Sequence, residues 1–258
     1  MQQTSKLYKE LLAQGAAVEK RLVVGERGVL INKRGDAITV GGVRIRVASG
    51  GPESGYDERI VTGLETTGSV FSGQGPGVGG TQAGELDATL YPTAAAIPRQ
   101  ARLAPYVRLT DGERHSEWIP QGVFFLDTRE EEEPDGLKKL KIHGYDAMLR
   151  GEQDYPASTI DWPAVDTEVV KEIARAMGVD VDPRTWKIMD RGYRIPLPTG
   201  YSCREVLGYI GCMYAGNWIM SDTGALLLVP LGGLPKETRL LIDKAGNYIT
   251  VGGVRIRV

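Results

Sequence analysis

Alternation of apolar and polar positions is clearest between Glu117 and Met148. Two strand-like runs, Gln121–Thr128 and Leu137–Gly144, flank an acidic tip, Glu130–Glu133, and the turn Pro134-Asp135-Gly136. Strand periodicity puts Val123, Phe125 and Asp127 on one face, with Phe124 and Leu126 on the other. In the second run Leu137, Lys139 and Lys141 alternate with Lys138, Leu140 and Ile142. A run that is apolar on both faces, such as Val123–Leu126, fits a closed barrel or the space between two sheets rather than a solvated edge.

Other β signals surround this hairpin. Arg21–Ala48 consists of short apolar runs broken by Gly-Glu-Arg-Gly, Lys-Arg-Gly-Asp and Gly-Gly. Further strands are expected at Arg59–Leu64, Glu85–Tyr91 and Tyr106–Leu109, with Pro92, Pro98 and Pro105 punctuating the link. Together these make six or seven strands, enough to close a small barrel. Leu30–Val47 returns almost intact as Leu241–Val258, and each copy has a Gly-Gly turn before Val-Arg-Ile-Arg-Val. Two copies so far apart make no solenoid. Alternation places Arg44, Arg46, Arg255 and Arg257 on one strand face, either solvated or against a partner.

Helical spacing marks three segments. Leu7, Tyr8, Leu11 and Leu12 predict a short amphipathic helix over Ser5–Ala13, stopped at Gly15 and docked on its own barrel or on a neighbouring subunit. After breakers at Gly151–Pro163, Val169, Val170, Ile173, Ala174 and Met177 recur at helical spacing, with Asp166 as the expected N-cap. Ser202 and Glu205 fit a capping box ahead of Val206, Leu207, Ile210, Met213 and Tyr214. That last helix is apolar nearly all round and is therefore expected to be central. Gly208 and Gly211 would admit a neighbouring backbone. A hairpin, Asn217–Met220 with Ala225–Pro230 across Asp222-Thr-Gly, completes an α+β unit.

The motifs resemble a family. Ser116-Glu117-Trp118-Ile119-Pro120-Gln121-Gly122 leading into Phe124–Arg129, followed by Ile142-His143-Gly144-Tyr145-Asp146-Ala147-Met148, is similar to the first barrel of phage tail baseplate hub proteins of Gram-positive prophages. The likeness extends to Gly84–Pro92 and to Gly200–Pro230. The resemblance implies a mainly β, α+β chain: an N-terminal helical arm over residues 1–20, a β-barrel domain over 21–150 and a small α+β domain over 151–258. It further implies a non-enzymatic virion structural protein in a homotrimeric ring. The expected partners are a tail tube or distal-tail protein, a tip or spike protein, and a tape measure protein in a lumen that later passes DNA. Hub proteins commonly continue into a second barrel, whereas the resemblance here ends at Val-Arg-Ile-Arg-Val. Another chain then supplies that domain, or the chain is the hexameric distal-tail ring component.

Composition adds exclusions. The 258 residues are 41% hydrophobic and 25% charged, ordinary for a globular chain, and 34 glycines favour many turns. A net charge of −2 and pI near 5.9 argue against the basic face that duplex DNA binding needs, but allow a channel that DNA crosses. No window approaches a membrane span and the start lacks a signal-peptide apolar core, so assembly in the host cytoplasm is expected.

Candidate chemistry is sparse, and no catalytic, cofactor or metal residue is assigned. Gly75–Thr81 has the glycine density of a phosphate loop, but Thr81 stands where the lysine belongs, and Ser72–Gly80 reads as a mobile loop. His115 and His143 stand outside any zinc motif. Cys203, at a helix N-terminus, sits where a cysteine peptidase places its nucleophile, yet both histidines precede it. Cys203 and Cys212 lie about 13 Å apart along one helix, too far for a disulfide. Glu130–Glu133 offers neighbouring like charges rather than the two distinct carboxylates of a glycosidase. Trp118, Trp162, Trp186 and Trp218 would suit a carbohydrate-binding module, but they stand in segments read as core or boundary.

Overall fold

The computed structural model describes residues 4–25, 39–40, 43–44, 55–71, 76–91, 97, 101–133, 136–232, 250–251 and 254–255. Helix α1 (Lys6–Ala13) is capped by Ser5, whose hydroxyl accepts from Tyr8 N, and ends at Gly15 with φ +67°. Strands β1 (Ala17–Gly25), β2 (Thr39–Val40), β3 (Val43–Arg44), β4 (Val61–Thr67), β5 (Glu85–Leu90) and β6 (Arg102–Thr110) follow. Next come β7 (Ile119–Pro120), β8 (Phe124–Glu132), β9 (Lys139–Asp146) and a 3-10 turn, Ala147–Glu152. The rest is β10 (Ala164–Val165), α2 (Asp166–Met177), α3 (Pro183–Ile188), β11 (Arg194–Ile195), α4 (Cys203–Met213), β12 (Gly216–Met220), β13 (Leu226–Pro230), β14 (Thr250–Val251) and β15 (Val254–Arg255).

The main sheet has seven strands, ordered β1-β6-β8-β9-β5-β4, with β7 attached to β6. All its pairings are antiparallel. The expected closed barrel is not what forms. Among the described residues the end strands β1 and β4 share no ladder, and one antiparallel bridge, Leu22 with Tyr56 just ahead of β4, joins the two ends. Those two backbone bonds are no ladder, whereas closure requires the end strands to pair along their length.

Strict alternation of burial is seen in β5. In β5 Leu86, Ala88 and Leu90 are buried while Asp87 is exposed. These residues pack with Leu22, Leu103, Phe124 and Ile142 into one core. Burying each large side chain contributes about 1.5–3 kcal/mol. The strands of the β8–β9 hairpin start and end two to four residues later than the pattern suggested, and a bulge at Asp127 shifts their register between Leu126 and Thr128. Glu130–Glu132 of the acidic run are therefore strand rather than tip. Glu130 lies opposite Lys141 and Glu132 opposite Lys139, and Lys141 Nζ reaches Glu132 Oε1 at 2.7 Å. Cross-strand charge pairing extends the ladder. Pro105, expected in a linker, lies within β6 where β7 gives way to β8. There its carbonyl accepts from Gln121 N and its missing N–H costs nothing.

A second core contains Met148, Val170, Ile173, Met177, Leu207, Ile210, Trp218 and Leu228. It gathers α2, α4 and the β12–β13 hairpin. The capping box at Ser202 and Glu205 is present in full. Asp166 is the first residue of α2 rather than its cap, which is Val165. Its fully buried carboxylate accepts instead from Tyr214 Oη at 2.5 Å and from Thr167 N at 2.7 Å. Helix α3 went unread; Asp182 caps it ahead of Pro183, a pair typical of helix starts. Among the described residues, β2–β3 and β14–β15 are separate two-stranded pairs; Arg46 and Arg257 lie outside them, as do Ser72–Gly75 of the glycine-rich segment.

Candidate assembly interface

Two features organise the surface around α4. The first is a joint between the cores. Residues Gly77–Gly84 lie against β12 and α4 rather than forming a free loop. Gly79 N donates to Gly216 O at 2.8 Å, Trp218 N to Gly80 O at 2.8 Å, Gly80 N to Asn217 Oδ1 at 2.6 Å and Asn217 Nδ2 to Gly77 O at 2.8 Å. Arg204 fastens the next residue, its Nε donating to Thr81 O at 2.7 Å, while its Nη1 pairs with Glu152. The expectation of a mobile loop is thus corrected for the described part of the segment. Side-chain and backbone bonds from β12 and α4 satisfy polar groups that a free loop would leave to water.

Asp146 closes the joint. Its Oδ2 accepts from Gly84 N at 2.7 Å and its Oδ1 from Met148 N at 2.8 Å, so one carboxylate ties β5's approach to the turn after β9. Burial pushes its pKa up to about 6 against the opposing pull of those two N–H groups and of Arg204. Arg150 lays its guanidinium over the Phe125 ring, 3.7 Å from the centroid, while its Nη1 donates to Met177 O. A cleft of about 280 Å³ runs beside the joint, lined among others by Thr67, Gln82, Val123, Asp146 and Met220.

The second feature is the outer face of α4. Its inner face buries Cys203, Val206, Leu207, Ile210 and Gly211. The opposite face carries Tyr209, 58% exposed, together with exposed Cys212 and Met213. Tyr201 stacks edge-on against Tyr209 with centroids 5.5 Å apart, and exposed Val78 adjoins them across a groove of about 360 Å³. Among the described residues, the helix expected to be central therefore leaves Tyr209, Cys212 and Met213 uncovered by its own chain. Apolar residues occur all round it because the outer side carries an exposed aromatic strip. Helix α1 adds exposed Leu12, while its Leu11 is buried and Ser5 is held by Glu117 (N to Oε1 at 2.6 Å), docking it on its own sheet.

The residues weighed for chemistry are dispersed. Cys203 is fully buried, and desolvation pushes its thiol up to about 11 despite the helix N-terminus, so it stays protonated at neutral pH. His143 Nδ1 sits 2.8 Å from Asp87 Oδ1 and its ring packs edge-on against Tyr145. His115 lies 3.5 Å from Glu19. No group of three or more metal-type ligands occurs among the described residues. Trp218 is wholly buried and Trp162 Nε1 donates to Ser158. Trp186 lies under Lys171, and both Arg21 and Arg108 lie over the Trp118 ring. None of the described helices is long and apolar enough to cross a membrane. Sequence reasoning missed Asp146, Arg150 and Arg204 as joint residues. The Gly-Tyr-Asp-Ala-Met run ahead of a turn was the one signal of a cap.

No family model matches the chain, and no curated protein does either. Among solved structures it is similar to the 43 kDa tail protein of prophage MuSo2 from Shewanella oneidensis, at 13% identity and a TM-score of 0.46 over 92% of this chain and 59% of that one. It is also similar to a tail protein from Neisseria meningitidis MC58, at 13% identity and a TM-score of 0.45 over 90% of this chain and 58% of that one. The chain thus spans a little under three-fifths of the length of each.

Proposed function

We propose that this chain is a structural subunit of a bacteriophage tail. Copies pack side by side into a ring at the baseplate hub that joins the tail tube to the tip or spike. The lumen takes the tape measure protein and then DNA. The observation that carries the reading is the outer face of α4, where Tyr209 and Met213, with Tyr201 and Val78 beside the helix, form an exposed aromatic and apolar strip. Such a patch marks an interaction surface, and the adjacent copy is its proposed occupant. Most residues that carry the hub resemblance lie in or beside β5, β7, β8, β9 and the α4–β12–β13 unit, segments that contribute to both cores.

The subunit has two units, divided near residue 150, with Gly77–Gly84 strapping the first to the second. It works by geometry and not by catalysis; the protonated, buried Cys203 speaks against a cysteine peptidase. A homotrimer is favoured, since a head-to-tail contact whose rotation closes gives a ring. Mass photometry of the purified chain tests this. A species at three times 28.0 kDa supports the hub ring, six times would assign the distal-tail ring instead, and a monomer at every concentration would remove both.

A further inference from the structure

Leu12 and Tyr209 are the two most exposed large apolar side chains among the described residues, at 59% and 58%. Their helices are held by different elements. Helix α1 packs on β6, with Leu11 buried and Ser5 tied to Glu117, whereas α4 packs on β12 and the 3-10 turn. Each helix is thus anchored along one side and presents apolar surface on the other. A head-to-tail contact between identical copies needs two such unlike patches on every chain.

The charges beside the two patches are opposite. Lys6, Lys9 and Leu12 follow one another at three-residue steps along α1, so each neighbours the next on the helix surface. Lys6 lies 3.6 Å from Glu10, and the exposed side of α1 carries two ammonium groups, at Lys6 and Lys9, to that one carboxylate. On α4, Glu205 precedes Tyr209 by four positions and shares its side. The groove there holds Glu152, Arg204 and Glu205, two carboxylates to one guanidinium, and Arg204 already pairs with Glu152. Lys9 and Glu205 are the surplus charges. A helical rise of about 1.5 Å per residue sets Lys9 and Leu12 about 4.5 Å apart along one axis, and Glu205 and Tyr209 about 6 Å apart along the other. One docking therefore brings Lys9 to Glu205 while Leu12 covers Tyr209. Two α4 faces meeting each other would instead oppose like carboxylates, and a two-fold contact makes a dimer rather than a ring.

We propose that α1 of one copy docks on the outer face of α4 in the next, with Leu12 against Tyr209 and Lys9 beside Glu205. Every chain supplies one half of each of two contacts, so the series closes into a ring. Helix α1 then bridges subunits: its inner side stays on its own sheet while its outer side lies on the neighbour. The inference rests on the ring reading above and names the segment that occupies the α4 face.

Leu12→Glu and Tyr209→Glu chains test it by sedimentation velocity, at a concentration where the parent chain is fully assembled. Each variant alone lacks one half of every contact and should sediment as a monomer with the parental Tm. Their equimolar mixture keeps one intact pairing, α1 of the Tyr209→Glu chain on α4 of the Leu12→Glu chain. It should give a species of twice 28.0 kDa and nothing larger, because the other pairing sets two carboxylates together. Lys9→Glu, at an exposed position, is the second variant should Leu12→Glu lower the Tm. It should raise the concentration needed for assembly by about tenfold at low salt and by much less at 1 M salt. A Leu12→Glu chain that still assembles, a mixture that stays monomeric or grows beyond two chains, or an indifferent Lys9→Glu would each overturn the α1 contact. The parent separates the two failures: if it assembles, the ring reading stands without this contact, whereas a monomeric parent removes both.

Discussion

Gly79 and Gly208 meet backbone to backbone: a Cβ placed on Gly208 would lie 2.9 Å from the Gly79 carbonyl oxygen, and one on Gly79 would lie 2.8 Å from the Gly208 oxygen and 2.5 Å from Cys212 Sγ. Gly79 also has φ +79°. The contact presses the strap of residues 77–84 onto α4, and the strap cannot retreat without breaking its bonds to β12. Gly208→Ala and Gly79→Ala should each destabilise the chain by about 2 kcal/mol or more, lowering Tm by roughly 4–8 °C. Gly15→Ala is the control. It has φ +67° but nothing within 4 Å, so only the backbone penalty remains. Calorimetry showing equal losses at Gly15 and Gly208 would deny the close approach.

Gly208 was readable from sequence because a glycine within an apolar helix has few other uses. The capping box at Ser202 and Glu205 and the β12–β13 hairpin were readable for a similar reason, since each is decided within a few residues. What Gly208 packs against was not readable. Gly80 and Asn217, which set the strap, are 137 residues apart, and no local pattern encodes that pairing. Sheet closure failed for the same reason: strands can be counted along the chain, but whether β1 meets β4 depends on edges remote in sequence. The acidic run was misread because its partners, Lys139 and Lys141, come later in the hairpin. The exposed face of α4 escaped notice because periodicity cannot tell an apolar face covered by its own chain from one left for a neighbour.

Cys203 and Cys212 should react very differently. With its thiol pushed up to about 11 by burial, Cys203 has about one molecule in 10⁴ ionised at neutral pH, and it is sterically closed as well. Cys212 is exposed. Iodoacetamide at concentrations below assembly should add one label, on Cys212, and a second only in denaturant. Fast labelling of Cys203 in the native chain would revive the peptidase reading.

Tyr209→Lys should separate folding from assembly. The side chain is 58% exposed, and surface changes of that kind stay within about 0.5 kcal/mol of the parent. A lysine in an apolar contact would instead be buried without a partner, at a cost of several kcal/mol. The expected outcome is an unchanged Tm with the oligomer shifted to monomer in mass photometry. An unchanged mass distribution would show that the outer face of α4 lies outside the subunit contact.

Asp146 should give the joint a distinctive pH dependence. Its pKa stands at about 6 in the folded chain against an ordinary 3.8, because burial opposes the charge more than Gly84 N, Met148 N and Arg204 favour it. The folded state therefore holds its proton more tightly than the unfolded state. Its contribution is most favourable below about pH 4, falls as pH rises from about 4 to 6, and is constant above that. The whole change is about 3 kcal/mol. Asp146→Asn cannot titrate; it keeps one acceptor but turns an amide toward the other N–H, which costs about 1–3 kcal/mol at every pH. Asp111, held down at about 2 by Arg114, titrates alike in both proteins and cancels in their difference. Urea melts should thus find the variant clearly weaker than the parent at pH 4, with the gap narrowing by about 2–3 kcal/mol by pH 6.5. A gap that stays constant over that range would mean that the carboxylate is already ionised at pH 4, and that the two N–H bonds, not burial, govern the joint.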